Sequence, residues 1–251
     1  MKVNKKSGKI ENYSSVPMLI KDIQKNTFID YPGKIACTLF IQGCNFRCGF
    51  CHNPELMEMD CQGISKEKVL KFLEKRKKYL EGVCLTGGEP LLTLDLEFLK
   101  KIKVIGYKIK IDTNGSQPKK LKEIINKGLV DYIAMDIKCS KEKYGLLTHS
   151  KIDLKKIEQS IKIISEFPNY EFRTTVISGI HTKNEMQKIK LWLLKITKKQ
   201  KLKNYYLQGF YARPDKMNNK DFNLIISTKY PLLKELKEYL KNHFEVCQIR
   251  N

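Results

Sequence analysis

The 251-residue chain contains no run near the roughly 20 consecutive apolar residues that a membrane-spanning helix requires. Its lysine-rich start, residues 1–11, has no apolar stretch ahead of a small-residue cleavage site. Both absences exclude a membrane-inserted or secreted reading, and the chain reads as a cytoplasmic protein. Arginine is scarce as well: only Arg47, Arg76, Arg173, Arg213 and Arg250 stand among 48 basic residues. A net charge of +21 would ordinarily suggest nucleic acid, but nucleic-acid surfaces favour forked guanidinium groups gathered on one stripe. Lysines dispersed over nearly every segment read instead as a solvated surface, with neither nucleic acid nor a membrane as partner. No linker, internal repeat or low-complexity segment breaks the chain. One large domain with an extension is expected.

What is present is a repeating alternation of two periods. Short β-rich runs occur at Ile35 to Gln42, Val83 to Thr86, Tyr107 to Asp112, Tyr132 to Lys138, Tyr170 to Ile177 and Tyr205 to Tyr211. Helical spacing lies between them: Leu154, Ile157, Ile161 and Ile164 step by 3, 4 and 3, and Met186, Ile189, Leu193 and Ile196 repeat those steps behind Thr182 and Glu185 at capping-box spacing. Pro118 and Gly128 punctuate a helix through Leu121, and Pro231 opens a last one through Leu232, Leu236 and Leu240. Six strands, five of them followed by an intervening helix, imply a parallel sheet in an α/β fold, wound as a layer or a barrel. The first 27 residues lack the repeat and read as an extension with a strand pair around Met18 to Ile23 and Thr27 to Asp30. Residues 28–251 form the domain.

Eight cysteines in a reducing compartment point to metal or catalytic use rather than disulfides. Three of them form Cys44-Asn-Phe-Arg-Cys48-Gly-Phe-Cys51 directly after a strand. A zinc site would want a fourth ligand, and the adjacent His52 is badly placed to close a tetrahedron with Cys51. A [4Fe-4S] cluster held by three thiolates keeps one iron open to a reactant. Cys61, Cys84, Cys139 and Cys247 match no ligand spacing, and Cys84 and Cys139 read as small buried hydrophobes. The other unusual segments, Gly87 to Pro90, Thr113 to Gly115 and Lys138 to Cys139, also follow strand C-terminal ends, where βα loops build sites.

Cys44, Cys48 and Cys51, with Phe50 before the last, resemble the defining motif of the radical S-adenosylmethionine enzymes. The resemblance extends through Asp30-Tyr-Pro-Gly33, Phe40-Ile-Gln-Gly-Cys44, Cys51-His-Asn-Pro-Glu55, Thr86-Gly-Gly-Glu-Pro90, Asp112-Thr-Asn-Gly115, Met135-Asp-Ile-Lys138 and Arg173-Thr-Thr-Val176. These segments are most similar to the glycyl-radical-enzyme activases, and among them to those of anaerobic ribonucleoside-triphosphate reductase. The Asp30 to Gly33 segment departs from the Asp-Gly-Pro-Gly start of pyruvate formate-lyase activases.

The resemblance implies a partial (β/α)6 TIM-like barrel with a C-terminal helix, one [4Fe-4S] cluster on Cys44, Cys48 and Cys51, and S-adenosylmethionine chelating the open iron. It also implies a glycyl radical enzyme as partner and an electron donor such as flavodoxin or ferredoxin. An activase of another glycyl radical enzyme, or a radical enzyme acting on a small molecule or RNA, is the alternative. Gly87 and Gly88 let the backbone approach the methionyl group, Glu89 accepts from its ammonium, and Lys138 and Arg173 meet its carboxylate. Asp112, Thr113 and Asp136 hold a monovalent cation or the cofactor, and Asn114 and Ile137 fall within the same motifs. Phe50 either offers its backbone to the adenine or packs over the cluster, beside His52. The family's adenine-contacting histidine has no counterpart in Leu207-Gln-Gly-Phe-Tyr211, which leaves Gln208 or Phe210. Activases with a ferredoxin-like insert carry two more cysteine-rich runs, and this chain has none. His149 and His181 read as solvated loop residues.

Overall fold

The computed structural model describes residues 16–59, 63–212 and 226–250. Among the described residues there are eight strands: β1 (Ile20–Thr27), β2 (Ala36–Ile41), β3 (Gly82–Gly87), β4 (Lys108–Thr113), β5 (Tyr132–Asp136), β6 (Tyr170–Val176), β7 (Leu202–Gly209) and β8 (Phe244–Arg250). Their order in the sheet is their order in the chain. The helices are α1 (Lys66–Arg76), α2 (Leu96–Ile105), α3 (Pro118–Asn126), α4 (Tyr144–Thr148), α5 (Leu154–Ser165), α6 (Lys183–Thr197) and α7 (Tyr230–Leu240). The six expected strands are β2 to β7, and the fold is the α/β class expected. No described helix is long and apolar enough to cross a membrane. Cys61 and the first 15 residues lie outside the described residues.

The chain divides into two compact units. The first holds residues 1–45, 55–113 and 119–133. In it, β1 runs antiparallel to β2, while β2, β3 and β4 are parallel. Cys37, Leu39, Ile41, Val83, Leu85, Ile109 and Ile111 are fully buried, as are Leu73, Leu99 and Ile102 from α1 and α2. Near-continuous burial along β2 is what a strand covered on both faces requires. Only one strand forms where a pair was expected. The Thr27 hydroxyl accepts the N–H groups of Ile29 and Asp30 at 3.4 and 3.2 Å, a local turn that ends β1 before a second strand can start.

The second unit holds residues 46–54, 114–118 and 134–251. Its β6, β7 and β8 are parallel. Asp153 caps α5 and Thr182 caps α6 through the Lys155 and Glu185 N–H groups. Glu185 does not complete the capping box. Its buried carboxylate turns to the Ser140 N–H at 2.7 Å and to Lys143 at 3.3 Å. In α7 the buried stripe is Leu233, Leu236 and Leu240 rather than Leu232. Strand β8 was not expected, and it joins the core through Phe244, whose ring stacks on Tyr205 at 4.6 Å.

Candidate cofactor site

Within the first unit the site begins where β2 ends. Gly43, at φ +94°, donates its N–H to Leu56 O at 2.8 Å, and Cys44 donates to Met57 O at 3.0 Å. The Gly43 carbonyl accepts from the Glu89 N–H at 2.7 Å. A Cβ on Gly88 would lie 2.2 Å from that carbonyl oxygen, and one on Gly87, at φ +126°, 2.3 Å from Ile41 O. The glycine pair thus admits close approach of the chain's own backbone around Gly43 and Cys44. Glu89 is fully buried, its Oε1 accepting from the Leu91 N–H at 3.2 Å and the Thr113 hydroxyl at 2.8 Å. Asp112 accepts from the Thr86 hydroxyl at 3.3 Å and pairs with the ammonium of Lys110. Lys110 is completely buried. Gln42, also fully buried, has no hydrogen-bond partner for either carboxamide atom among the described residues.

Within the second unit, Cys51 donates its N–H to Cys48 O at 3.2 Å, so these two cysteines close one tight turn. Arg47 N–H ties the turn's start to Thr148 O at 2.9 Å and Ser150 Oγ at 3.1 Å. Burial pushes the Cys48 thiol up to about 11, against the opposing pull of the Lys138 ammonium. Phe50 is buried, with Lys138 Nζ 6.0 Å from its ring centre. His52 Nε2 contacts Tyr211 O at 3.0 Å, and its ring stacks on Phe210 at 5.6 Å. Phe210 is therefore already covered by His52. Asn114 Oδ1 accepts from the Ser116 N–H at 2.9 Å, shaping the turn after β4.

A chain of alternating charges crosses the second unit. Lys138 Nζ donates to Asp136 Oδ2 at 3.0 Å, and Arg173 Nε to Asp136 Oδ1 at 2.9 Å. Arg173 Nη1 lies 3.7 Å from Glu171, which Arg250 clasps with two bonds of 2.6 and 2.9 Å. Arg250 in turn stands over the Tyr206 ring at 3.8 Å. Burial alone would raise the Asp136 carboxyl, but the Arg173 and Lys138 cations hold it well below the usual carboxylate range. For Lys138 burial works against the charged form, and Asp136 and the Cys48 sulfur overcome it, so the ammonium stays charged. Arg173 is thus buried and paired within the chain, not facing water. Ile137 is buried, its N–H and carbonyl bonded to Arg173 O at 2.7 Å and the Thr174 hydroxyl at 2.8 Å.

His181 departs from expectation: it is fully buried, not solvated. Its Nδ1 accepts from the Ile177 N–H and its Nε2 meets Lys138 O, both at 2.9 Å. With Nδ1 an acceptor, Nε2 carries the proton and donates. Lys110, Glu171, Arg250 and His181 were not anticipated. A charged residue two positions before another inside a strand, as in Lys110 to Asp112 and Glu171 to Arg173, is the signal that could have found the first two.

A profile of the Radical SAM superfamily matches residues 38–193. A glycyl-radical enzyme activating enzyme of Methanocaldococcus jannaschii is 30% identical over 239 residues, 92% of this chain and 95% of that one. The pyruvate formate-lyase-activating enzyme of Clostridium pasteurianum is 35% identical over 126 residues, covering 47% and 52% of the two chains. SuiB of Streptococcus suis, solved with S-adenosylmethionine, matches 82% of this chain and 48% of its own at a TM-score of 0.60 and 15% identity, a likeness of fold alone. Members of the matched superfamily use a [4Fe-4S] cluster and S-adenosylmethionine. The chain therefore belongs to the radical S-adenosylmethionine superfamily, among the glycyl-radical-enzyme activating enzymes.

Proposed function

We propose that Cys44, Cys48 and Cys51 carry the cluster, and that this activase installs its glycyl radical on anaerobic ribonucleoside-triphosphate reductase. The observation that carries the cofactor assignment is the donor set. Three cysteines occur within eight residues, two of them in one hydrogen-bonded turn near a half-buried lysine. Held by these cysteines, a reduced cluster would supply the electron for reductive cleavage of the S-adenosylmethionine sulfonium, chemistry that leads to removal of a glycine Cα hydrogen.

The residues present fit both groups. The linked charges Lys138, Asp136, Arg173, Glu171 and Arg250 set three cations against two carboxylates, and the excess cation suits the methionyl carboxylate. The orphaned carboxamide of Gln42, two residues before Cys44, adds an unsatisfied buried polar group beside the motif. Lys138 and Arg173 bind the carboxylate, and Asp136 holds both cations in place. Glu89 keeps one carboxylate oxygen fixed by Thr113 and Leu91, and its charge serves the methionyl ammonium. Phe210 is engaged by His52, which leaves Gln208 for the adenine.

The choice of reductase rests on Asp30-Tyr-Pro-Gly33. Tyr31 is a buried ring lying against Gly82 and near Tyr132, and the Thr38 hydroxyl donates to Asp30 Oδ2 at 2.6 Å. The Tyr31 ring of this segment is thus part of the core packing. Anaerobic reconstitution followed by quantification of 5′-deoxyadenosine tests the activity. The wild type should form it, and Cys44→Ala, Cys48→Ala and Cys51→Ala should not. A glycyl signal by electron paramagnetic resonance on the reductase, and none on pyruvate formate-lyase, supports the target. The reverse pattern overturns it.

A further inference from the structure

Lys110 sits in the interior of β4 with no exposed surface. A lysine so placed needs an anion, and strand residues two apart share a face, so Asp112 supplies it. In register, Lys110 lies beside Cys84 of β3, whose thiol offers no compensating charge because burial pushes its pKa far up. The ammonium is therefore directed to Asp112. That carboxylate has Oδ1 on Lys110 and Oδ2 on the Thr86 hydroxyl. A metal cation on Asp112 would share that one carboxylate with the ammonium, two positive charges against a single negative one in a partly buried setting. Asp112 does not fit the role of a ligand for a separate monovalent cation.

We propose that the Lys110 ammonium serves as a built-in monovalent cation for Asp112, so that this chain holds its cofactor without needing an alkali-metal ion. The covalently attached charge fixes the Asp112 carboxylate in one orientation. It also removes the entropic and concentration dependence of recruiting an ion from solution. The second half of the proposal rests on the assignment of Asp112 to the cofactor site, and the first half does not.

Two measurements on the full chain separate these halves. In the iron-free protein, thermal unfolding of the wild type should be the same in potassium chloride and in choline chloride at equal ionic strength. Lys110→Met, which leaves Asp112 uncompensated, should melt lower in choline and recover saturably with potassium, ammonium or methylammonium. Should Lys110→Met not fold, the double variant Lys110→Met/Asp112→Asn restores neutrality, and it should melt alike in both salts. A wild type stabilised saturably by potassium over choline overturns the proposal, and so does a folded Lys110→Met indifferent to all three cations. In the reconstituted holoprotein, S-adenosylmethionine affinity of the wild type should change by less than about twofold between potassium, sodium and choline. A loss of about tenfold in choline overturns the second half. Absence of binding in every salt counts against the activase reading itself and leaves the iron-free result standing.

Discussion

Thr113 donates its hydroxyl to Oε1 of the fully buried Glu89 at 2.8 Å. The last residue of β4 therefore fixes the carboxylate of the Gly-Gly-Glu-Pro turn that follows β3. The same oxygen receives the Leu91 N–H, so Glu89 also caps the short turn Pro90–Leu92. One side chain thereby serves both the local turn and the neighbouring strand.

Replacing Thr113 by Val removes a hydroxyl without changing shape and leaves a buried carboxylate oxygen short of a donor. Urea denaturation of the iron-free chain should show a loss of about 1–3 kcal/mol, and Thr113→Ser should recover most of it. Equal stabilities for Val and Thr would mean the bond contributes nothing.

Asp136 bridges Lys138 and Arg173, so Asp136→Asn leaves a buried guanidinium and a half-buried ammonium facing each other. A destabilisation of about 3–5 kcal/mol is expected from the urea midpoint. Lys138→Met should cost less, because the Arg173 to Asp136 contact at 2.9 Å survives. If the lysine variant proves the weaker of the two, Asp136 is not the centre of the network.

His181 gives a pH signature. Burial lowers its pKa below the ordinary 6.5, so the folded state binds fewer protons than the unfolded one. Stability is full above pH 6.5 and declines as pH falls through that value toward the lower folded pKa. His243, lowered by burial and by the Lys190 ammonium, adds to the decline. Denaturation midpoints from neutral to mildly acidic pH should fall less steeply in His181→Asn than in the wild type, and less steeply again with His243→Gln added. Parallel curves for all three proteins would remove His181 from this account.

Two glycine substitutions should separate backbone strain from damage to the site. Gly33→Ala places a side chain at φ +70° with nothing among the described residues within 4 Å, so it should cost about 1–2 kcal/mol and leave iron content unchanged. Gly88→Ala drives a methyl into the Gly43 carbonyl next to Cys44, so a similar cost of about 1–3 kcal/mol should come with loss of bound iron. Full iron loading of Gly88→Ala would show that the motif's start tolerates displacement.

The strands β2 to β7 were readable because buried strands are written as short β-branched runs between turn residues. Strand β8 was not, since Phe244, Glu245, Val246, Cys247, Gln248, Ile249 and Arg250 mix polar and apolar residues behind a helix, and only its pairing with β7 reveals a strand. The cysteine turn was legible because its spacing is local. The Arg250 to Glu171 pair spans 79 residues, and no local pattern announces a partner so distant. Likewise His181 looked like a surface histidine until its two backbone contacts showed why it is buried.

The bonds from Gly43 to Leu56 and from Cys44 to Met57 form a neck at which the chain departs and returns. Both use only main-chain atoms, so no side-chain substitution short of proline removes either donor or acceptor. Exchanging Cys44 for another such residue changes what the loop can hold, while the closure at its base stays the same.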